Sequence, residues 1–473
     1  MRKASITLYL CLVLCVLLSL ISVSFYSARI SAGRAVLSCA LEEGMFSLFG
    51  EYDSELFERY GLMFLDGGRG HGDLQLHKLT KRVEQYASYI TSPGRGKGGG
   101  RLLSLSEPSA SVTGYVLATD GAGMALKRQI CTAMKGRIAA NAIRLASGSL
   151  EEAEQTAGAQ QEQMGRNLSD ESISEAEQAA ADAIDLGESY ADPRETVAAA
   201  RSVGLLNLVI PAGRTVSGQA VSLPELPSKR ALQRGIGGVA QAKSGIADHA
   251  LLVEYAAEFF SCFSSEKTAE NGELQYQLEY LISRKGSDAD NLKGTLNRLM
   301  LMREASNLAF LSADPVKRAE SLAAATAVTT AFGAPYLAPV VAVGIRAAWA
   351  YAEGIFDLRR LLAGRKVSLI KTEASWQLSI EQLPVFLSST GASGTDDEGG
   401  FTYEQYLRML LLTKNDADLA AGLMDLVEES MRHTDGNKEF RIDNCIDAIS
   451  MELSANAEGK QIKTSEQYGY GMN

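Results

Sequence analysis

The chain has 473 residues, of which 46% are apolar, and a formal net charge of −11. This length and apolar content are enough for more than one compact core. The acidic balance, and the lack of a basic stretch interleaved with aromatic residues, argue against a nucleic-acid-binding protein. The six cysteines are scattered and form no CxxC pair. We therefore predict no zinc site, no redox motif and no bound cofactor.

The run Ile6–Phe25 contains no charged residue. About 20 apolar residues in a helix cross the hydrocarbon core of a bilayer, so this run predicts a transmembrane helix that contacts lipid directly. Arg2 and Lys3 precede it, which favours a cytoplasmic N-terminus and an extracytoplasmic body. A cleaved signal peptide is the alternative, but its apolar region is normally shorter than this one. We therefore favour an uncleaved, single-pass anchor in the cell membrane.

A third interpretation concerns processing of this segment. Type IV pilins and pseudopilins keep such a helix after a short basic leader is removed. Here the leader would end at Ala4, with cleavage before Ser5. Tyr9 stands where major pilins carry a glutamate. The sequence therefore leaves open an accessory, pseudopilin-like protein rather than a major pilin.

The residues after the anchor continue a helical pattern. Small and apolar side chains recur at helical spacing from Tyr26 to Phe49, which predicts an extension of the membrane helix outside the bilayer. Within the next stretch, Asp53 can cap a new helical turn and Gly61 can end it. We predict a juxtamembrane stalk helix over residues 26–66.

Residues 67–245 form a region that we predict to be variable and rich in loops and spacers. A helix over Leu74–Ile90, a strand over Ser111–Thr119 and a helix over Ala125–Ala146 are expected within it. The GxGxxG match at residues 94–99 follows no strand, so we interpret it as a loop. The alanine- and glutamate-rich residues 148–187 have the composition of a spacer.

Residues 246–473 have strong helical periodicity, which predicts a mainly helical core domain. Leu322–Ile345 is uncharged and interrupted by glycine and proline; we favour a buried helical hairpin over a second membrane span. One helix is predicted from Arg346 to Leu362, with Gly364 just beyond its end. The alternation from Ile449 to Leu453 predicts a strand, and the last residues are interpreted as a tail.

Four charged residues on the predicted helix 346–362 form a candidate polar network. Arg346, Glu353, Asp357 and Arg360 follow at spacings that place them near one stripe of the helix. Two carboxylates at i and i+4 can share a metal or a proton, but they can equally pair with the two arginines. We favour a structural ion-pair network and expect no catalytic or metal-binding residue. Asp396 and Asp397 are interpreted as solvated loop residues.

Several stretches resemble a known family. They are RKASITLYLCLVL, SARISAGRA and EYDSELFERYGLM near the start, then GELQYQLEYLISRKGSDADNLKGTLNRLMLMREASNLAFL, AWAYAEGIFDLRRLLAGRKVSLIKT and FTYEQYLRMLLL. They are similar to an uncharacterised (domain-of-unknown-function) family of membrane-anchored bacterial proteins, mostly from Gram-positive lineages. The resemblance implies an accessory of a Flp-type (tight-adherence, Tad) pilus. It carries over no catalytic residue.

Together these observations predict a mostly α protein with a few short strands. Its predicted segments are a short cytoplasmic N-terminus at residues 1–5, a transmembrane helix at 6–25, a stalk helix at 26–66, a variable region at 67–245 and a helical core at 246–473. We expect a non-enzymatic pseudopilin-like or assembly-scaffold protein whose partners are the bilayer and other pilus or envelope proteins, not nucleic acid. The alternatives are a membrane-tethered enzyme that uses Glu353 and Asp357, and an envelope scaffold unrelated to pili.

Overall fold

A computed structural model describes residues 2–91, 105–137, 192–237, 248–269, 272–386, 395–457 and 459–471. The described chain is mostly helical, with a few antiparallel strands and one long N-terminal helix. The predicted fold class is therefore confirmed. The predicted loop at 94–99 and the predicted spacer at 148–187 lie outside the described residues.

The helices and strands are numbered here in chain order. The helices are α1 Arg2–Phe49, α2 Ser54–Tyr60, α3 Leu76–Thr91, α4 Asp120–Arg137, α5 Pro193–Val203, α6 Leu205–Val209, α7 Asp248–Phe259, α8 Gln277–Ser283, α9 Asp288–Ala313, α10 Pro315–Ala331, α11 Ala338–Leu362, α12 Tyr403–Leu412 and α13 Asp416–His433. The strands are β1 Leu65–Asp66, β2 Leu105–Leu117, β3 Cys445–Ala457 and β4 Lys460–Gly469.

The chain forms two compact units. The first, called the sheet unit, comprises Met1–Ala133, Leu226–Ile246 and Met424–Asn473. The second, called the helical unit, comprises Met134–Glu225 and Ala247–Leu423. Each unit is assembled from stretches that are far apart in the sequence.

The sheet unit is built on an antiparallel sheet in which β3 is central. Strand β2 pairs with one edge of β3 from Ile446 to Ala457. The other edge of β3 pairs with β1 at Cys445 and Ile446 and with β4 from Ala448 onward.

The strand predicted over Ile449–Leu453 is part of β3, and the strand predicted over Ser111–Thr119 overlaps β2, which begins at Leu105 and ends two residues earlier, at Leu117. The interpretation of the last residues as a tail is wrong, because Lys460–Gly469 forms β4 and pairs with β3 from Ala448 to Ala457. Gly459, with a φ of +76°, lies in the turn that joins the two strands.

The second half of α1 packs on this sheet. Its buried residues recur at helical spacing, as Ile30, Leu37, Leu41, Met45 and Leu48. They form one core with the inner face of α3 and with the apolar faces of β2, β3 and β4. Beyond Phe49 the chain turns into α2 and then β1. The stalk helix predicted over residues 26–66 is therefore wrong beyond Phe49: it is interrupted at residues 50–53, resumes as α2 only to Tyr60, and is followed by strand β1.

The short helix α2 has the caps that the sequence predicts. Asp53 is its N-cap, and a side-chain oxygen of Asp53 accepts a hydrogen bond from the Leu56 N–H at 2.9 Å. Gly61 ends it with a φ of +68°, a left-handed conformation that glycine adopts without a Cβ clash. These caps satisfy backbone groups that a seven-residue helix would otherwise leave unpaired.

The helical unit is organised around α9 and α11, which pack against each other along much of their length. Buried Leu292, Leu296 and Leu299 form the inner stripe of α9. Gly354 lies where the helices approach closely, since a Cβ there would sit 2.9 Å from Met300 Cε. The predicted helix 346–362 is the second part of α11, which begins eight residues earlier at Ala338.

Residues 322–345 form a helical hairpin from α10, a turn at residues 332–337 and the start of α11. The facing sides pack through alanine and isoleucine, including Ala325, Ala342 and Ile345. The hairpin prediction is therefore right in its topology. It is wrong in describing the whole hairpin as buried, because the turn and one side of α11 are exposed.

Candidate functional site

The first half of α1 is an exposed apolar helix. Its large side chains from Leu8 to Tyr26 are all exposed, whereas the core contacts of α1 begin at Ile30. The helix is long and apolar enough to cross a membrane, because the 20 residues from Ile6 to Phe25 span about 30 Å at 1.5 Å per residue. The proposed processing residues Ala4 and Ser5 lie within α1, at its N-terminal end.

The second half of α1 is held by contacts with β4 and with the residues just after it. Ser38 Oγ donates to Glu466 at 2.9 Å. The Phe49 ring packs against Tyr468 and Tyr470, and the Tyr470 hydroxyl donates to the Phe49 carbonyl at 2.7 Å. One continuous helix therefore has a free apolar half and a half that is fixed to a folded unit.

Two of the predicted network residues, Glu353 and Asp357, meet in the interior of the helical unit. Lys371 Nζ donates to Glu353 at 2.6 Å and to Asp357 at 2.7 Å. Arg303 on α9 forms an ion pair with the other oxygen of Asp357 at 3.0 Å. All four side chains are fully buried, so two positive and two negative charges balance each other out of contact with water.

Hydrogen bonds to the backbone complete this network. The backbone N–H groups of Gln377 and Leu378 donate to Glu353, and Arg303 donates to the Ser368 and Leu369 carbonyls. Burial raises the pKa of Glu353, and the charge of Lys371 only partly opposes this. Burial also acts to raise the pKa of Asp357, but Arg303 and Lys371 outweigh it and hold that pKa below its usual value.

The two arginines predicted to pair with these carboxylates contact other groups. Arg360 forms an ion pair with Asp397 at 2.5 Å, and Arg346 donates to Ser321 Oγ at 3.1 Å. The predicted partners are therefore wrong, and so is the interpretation of Asp397 as solvated, because Asp397 is buried. Arg346 and Arg360 each lie seven residues from Glu353 on the same helix, about 10 Å along the axis. Arg360 is only three residues from Asp357, but its guanidinium pairs with Asp397 instead. Lys371 and Arg303, which the tertiary fold places beside Glu353 and Asp357, form the ion pairs with these carboxylates.

The sequence reasoning missed Lys371 and Arg303. Lys371 follows directly on Val367–Ile370, a stretch in which three of the four residues are apolar. A single cation in such a run is rarely buried without a partner, and that signal could have directed attention to it. Arg303 is likewise a cation on the buried stripe of α9, one turn beyond Leu299.

A further buried acid, Glu279, was also missed by the sequence reasoning. One of its oxygens accepts the Phe263 N–H at 2.9 Å and the Tyr403 hydroxyl at 3.0 Å. The other oxygen is buried and has no hydrogen-bond partner among the residues that the structure describes. Burial raises the pKa of Glu279 to about 7, so this group takes up or releases a proton near neutral pH. Burial also raises the pKa of the nearby Cys262 thiol to about 12, which keeps it protonated.

Within the described ranges, no group of three or more histidine, cysteine, aspartate or glutamate side chains is arranged to hold a metal ion. Glu353 and Asp357 have their oxygens occupied by Lys371, Arg303 and backbone N–H groups. A buried, charge-balanced network of this kind positions the elements that it joins and leaves neither carboxylate open to a substrate.

The fold and these sites define a class: a protein with an apolar N-terminal helix, an antiparallel sheet unit and a helical unit held by buried ion pairs. Residues 185–457, more than half of the chain, match the model of DUF5702, a family of unknown function. The chain belongs to this family. Helix α1 lies outside the matched residues. No curated protein and no solved structure matches the chain.

Proposed function

We propose that this chain is a non-enzymatic, membrane-anchored protein with an extracytoplasmic body. Its role is that of a pseudopilin-like subunit or assembly scaffold that serves a Flp-type (Tad) pilus. The observation that carries this proposal is the division of α1 into a free apolar half and a half that is packed on the sheet unit.

The division of α1 supports this role physically. A subunit that assembles through an apolar helix needs one part of that helix free for lipid or neighbouring helices. It also needs a second part of the helix that packs on the folded body and so fixes the position of that body relative to the apolar part. In the bilayer such helices associate by close packing, since lipid tails are as apolar as their side chains. Because α1 continues without a break to Phe49, its free half is joined to the sheet unit through one helix.

Pilin-like use of α1 requires processing and release from the bilayer. We expect removal of the leader after Ala4, which mass spectrometry of the N-terminus would detect. The decisive experiment shears producing cells and compares the sheared surface fraction with the membrane fraction by immunoblot. The pseudopilin-like role predicts the chain in the sheared fraction.

Two substitutions sharpen this experiment. Ala4→Leu enlarges the residue at the cleavage site and is expected to keep the chain in the membrane fraction. Ala28→Leu, at an exposed position further along α1, is the matched control and should behave like the parent. Retention of the parent chain in the membrane would exclude the pilin-like subunit and leave a permanently anchored scaffold.

The alternative of a membrane-tethered enzyme that uses Glu353 and Asp357 has a separate test. The double substitution Glu353→Gln with Asp357→Asn nearly preserves shape and removes both negative charges. An enzyme would lose function while its fold stays intact. A structural network would lose stability, because Lys371 and Arg303 would then be buried without counter-charges.

A further inference from the structure

The tip of the α10–α11 hairpin is an exposed apolar surface. Phe332 and Tyr336 in the turn are 77% and 78% exposed, and Val340 on the first turn of α11 is 72% exposed. Leu337 and Val343 extend this surface. We call these five residues the hairpin tip. Lone exposed apolar side chains are ordinary, but five around one turn form a contiguous patch that calls for a partner.

Few backbone N–H groups in the turn depend on water as a hydrogen-bond acceptor. The N–H groups of Gly333, Ala334 and Leu337 donate to carbonyls of the preceding residues at 2.9–3.1 Å. Pro335 and Pro339 have no N–H to satisfy. These features keep the number of unpaired donors low, which is the condition for placing a turn near lipid.

The side chains of the hairpin also leave few polar groups unpaired. No residue from Leu322 to Ile345 is charged. The hydroxyls of Thr326 and Thr329 donate to the carbonyls of Leu322 and Ala325, both at 2.8 Å. Hydroxyls bonded to their own helix add little cost when they leave water.

Two arginines lie at the base of the hairpin. Burial lowers the pKa of Arg346 on α11, and the charge of nearby Arg318 on α10 lowers it further. Arg346 donates to Ser321 Oγ, and the buried Nε atoms of both arginines have no hydrogen-bond partner within the described ranges. Glu320 forms its ion pair with Lys317 instead. Across the described part of the chain, neither arginine forms an ion pair with a carboxylate.

The distance from the hairpin tip to Arg346 is similar to the depth at which the phosphates of a bilayer lie above an inserted apolar surface. From Ala338 to Arg346 the axis of α11 rises about 12 Å, and an interfacial apolar surface enters lipid by about 5–10 Å. The Arg346 guanidinium at that distance meets the level of phospholipid phosphates, which guanidinium groups bind strongly. Arg318 lies 13 residues before the end of α10, about 20 Å along its axis, and adds positive charge further from the tip. Tyr336 and Phe332 add the aromatic side chains that favour the interface.

We propose that the hairpin tip inserts into the interface of a bilayer that contains anionic phospholipid, with Arg346 on lipid phosphates and Arg318 adding positive charge further from the surface. This interaction goes beyond the proposed pilus role and depends only on the chain being held at a membrane. The charge of the arginine pair favours an anionic lipid surface over a second copy of the same tip, because the uncharged residues 322–345 of a second copy carry no anionic group for the arginines.

Brominated lipids test the insertion in the full-length chain. Tyr336→Trp places a fluorophore at the tip, and Leu301→Trp places one at another exposed apolar position, on α9, where Leu301 is 68% exposed. Each variant is reconstituted into vesicles of phosphatidylcholine and phosphatidylglycerol, with and without bromine on the acyl chains. The parent, with Trp349 and Trp376 alone, supplies the background to be subtracted.

The added emission of the Tyr336→Trp variant should be about twofold lower in brominated vesicles, as expected of a side chain at the acyl boundary. The added emission of the Leu301→Trp variant should not change. Combining Tyr336→Trp with Arg318→Gln and Arg346→Gln, or using phosphatidylcholine alone, should reduce the quenching.

Equal emission of the Tyr336→Trp variant in brominated and unbrominated vesicles would overturn the proposal, whether the tip is bare or covered by a second copy. Quenching that is equal in the Tyr336→Trp and Leu301→Trp variants would also overturn it, because it would show non-specific contact. Vesicle flotation measures anchoring separately. A chain that floats without quenching at the tip contradicts this inference and leaves the proposed function intact.

Discussion

Lys371 shows how one side chain can join several elements. It reaches two carboxylates on consecutive turns of α11 and donates to the Ser375 carbonyl at 3.0 Å. Each charge in this network was removed from water at a cost, and the cost is offset only while every partner is present. The network therefore fixes the position of the segment after α11 and the register between α9 and α11.

Lys371→Ala should destabilise the helical unit by about 3–5 kcal/mol, because Glu353 would be left as a buried, unpaired charge. Unfolding in denaturant, followed by the emission of Trp349 and Trp376 in the same unit, measures this loss. Lys366→Ala is the control, since Lys366 is exposed and its truncation should change stability by less than about 0.5 kcal/mol. Equal stability of the two variants would contradict a structural role for the network.

Glu279 gives the helical unit a pH dependence whose sign is fixed by its raised pKa. The pKa is about 7 in the folded chain and has its usual value of 4.5 when exposed. Between these values the folded state holds a proton that the unfolded state has released. Stability therefore falls as pH rises from about 4.5 to 7 and changes no further above 7, a loss on the order of 3 kcal/mol.

Glu279→Gln should abolish this decrease and raise stability at pH 8 relative to the parent, since no charge then has to be buried. The amide oxygen can still accept from Phe263 and Tyr403. Unfolding curves at several pH values between about 5 and 8 span the titration and provide the comparison. Glu381→Gln, at an exposed position in the same unit, should keep the parent's pH dependence. If the parent were equally stable across this pH range, the pKa of Glu279 would not be raised by folding.

At the scale of elements, α1 combines two different surfaces in one helix. Its exposed residues up to Tyr26 have apolar side chains on every face, which is the pattern of a helix surrounded by lipid or other helices. From Ile30 onward the apolar side chains follow one stripe and face the sheet. The sequence predicts both patterns, because helical periodicity is visible without knowledge of the partner. The sequence does not show that the partner of the second half is a sheet.

Leu41→Ala should destabilise the sheet unit by about 2–5 kcal/mol, since it leaves a cavity between α1 and the sheet. Leu17→Ala truncates the same side chain on the free half of α1 and should leave the stability of the sheet unit unchanged. The labelling rate of the buried Cys445 thiol on β3 in detergent reports on this unit. Equal labelling of both variants would mean that the core described for α1 does not hold the unit together.

At the scale of the whole molecule, each unit is closed by segments that lie far apart in the chain. The sheet unit takes in Leu226–Ile246 and Met424–Asn473 as well as the N-terminal residues. Arg230 forms ion pairs with Glu428 and Asp443, so that both later segments are tied together within this unit. The folding of the sheet unit therefore depends on residues close to the C-terminal end of the given sequence.

Truncation after Ala457 should expose one edge of β3 and remove Ile462, Tyr468 and Tyr470 from the core beside α1. Buried Cys445 would then react with a thiol reagent much faster than in the intact chain. A chain truncated after Gly471 retains β4 and is the control. Slow labelling of both chains would show that β4 is dispensable for the sheet unit.

The sequence by itself determined the apolar N-terminal helix, the caps of α2, the helix that ends at Leu362 and the strands around residues 115 and 451. Each of these follows from short-range rules: periodicity, capping residues and β-branched composition act within a few residues. Only the tertiary structure decided that Lys371 and Arg303, and not Arg346 and Arg360, neutralise Glu353 and Asp357. It also decided that the polar residues 460–469 form a strand. The physical reason is the same in both cases, since an ion-pair partner and a strand partner are chosen by proximity in space, which sequence separation does not reveal.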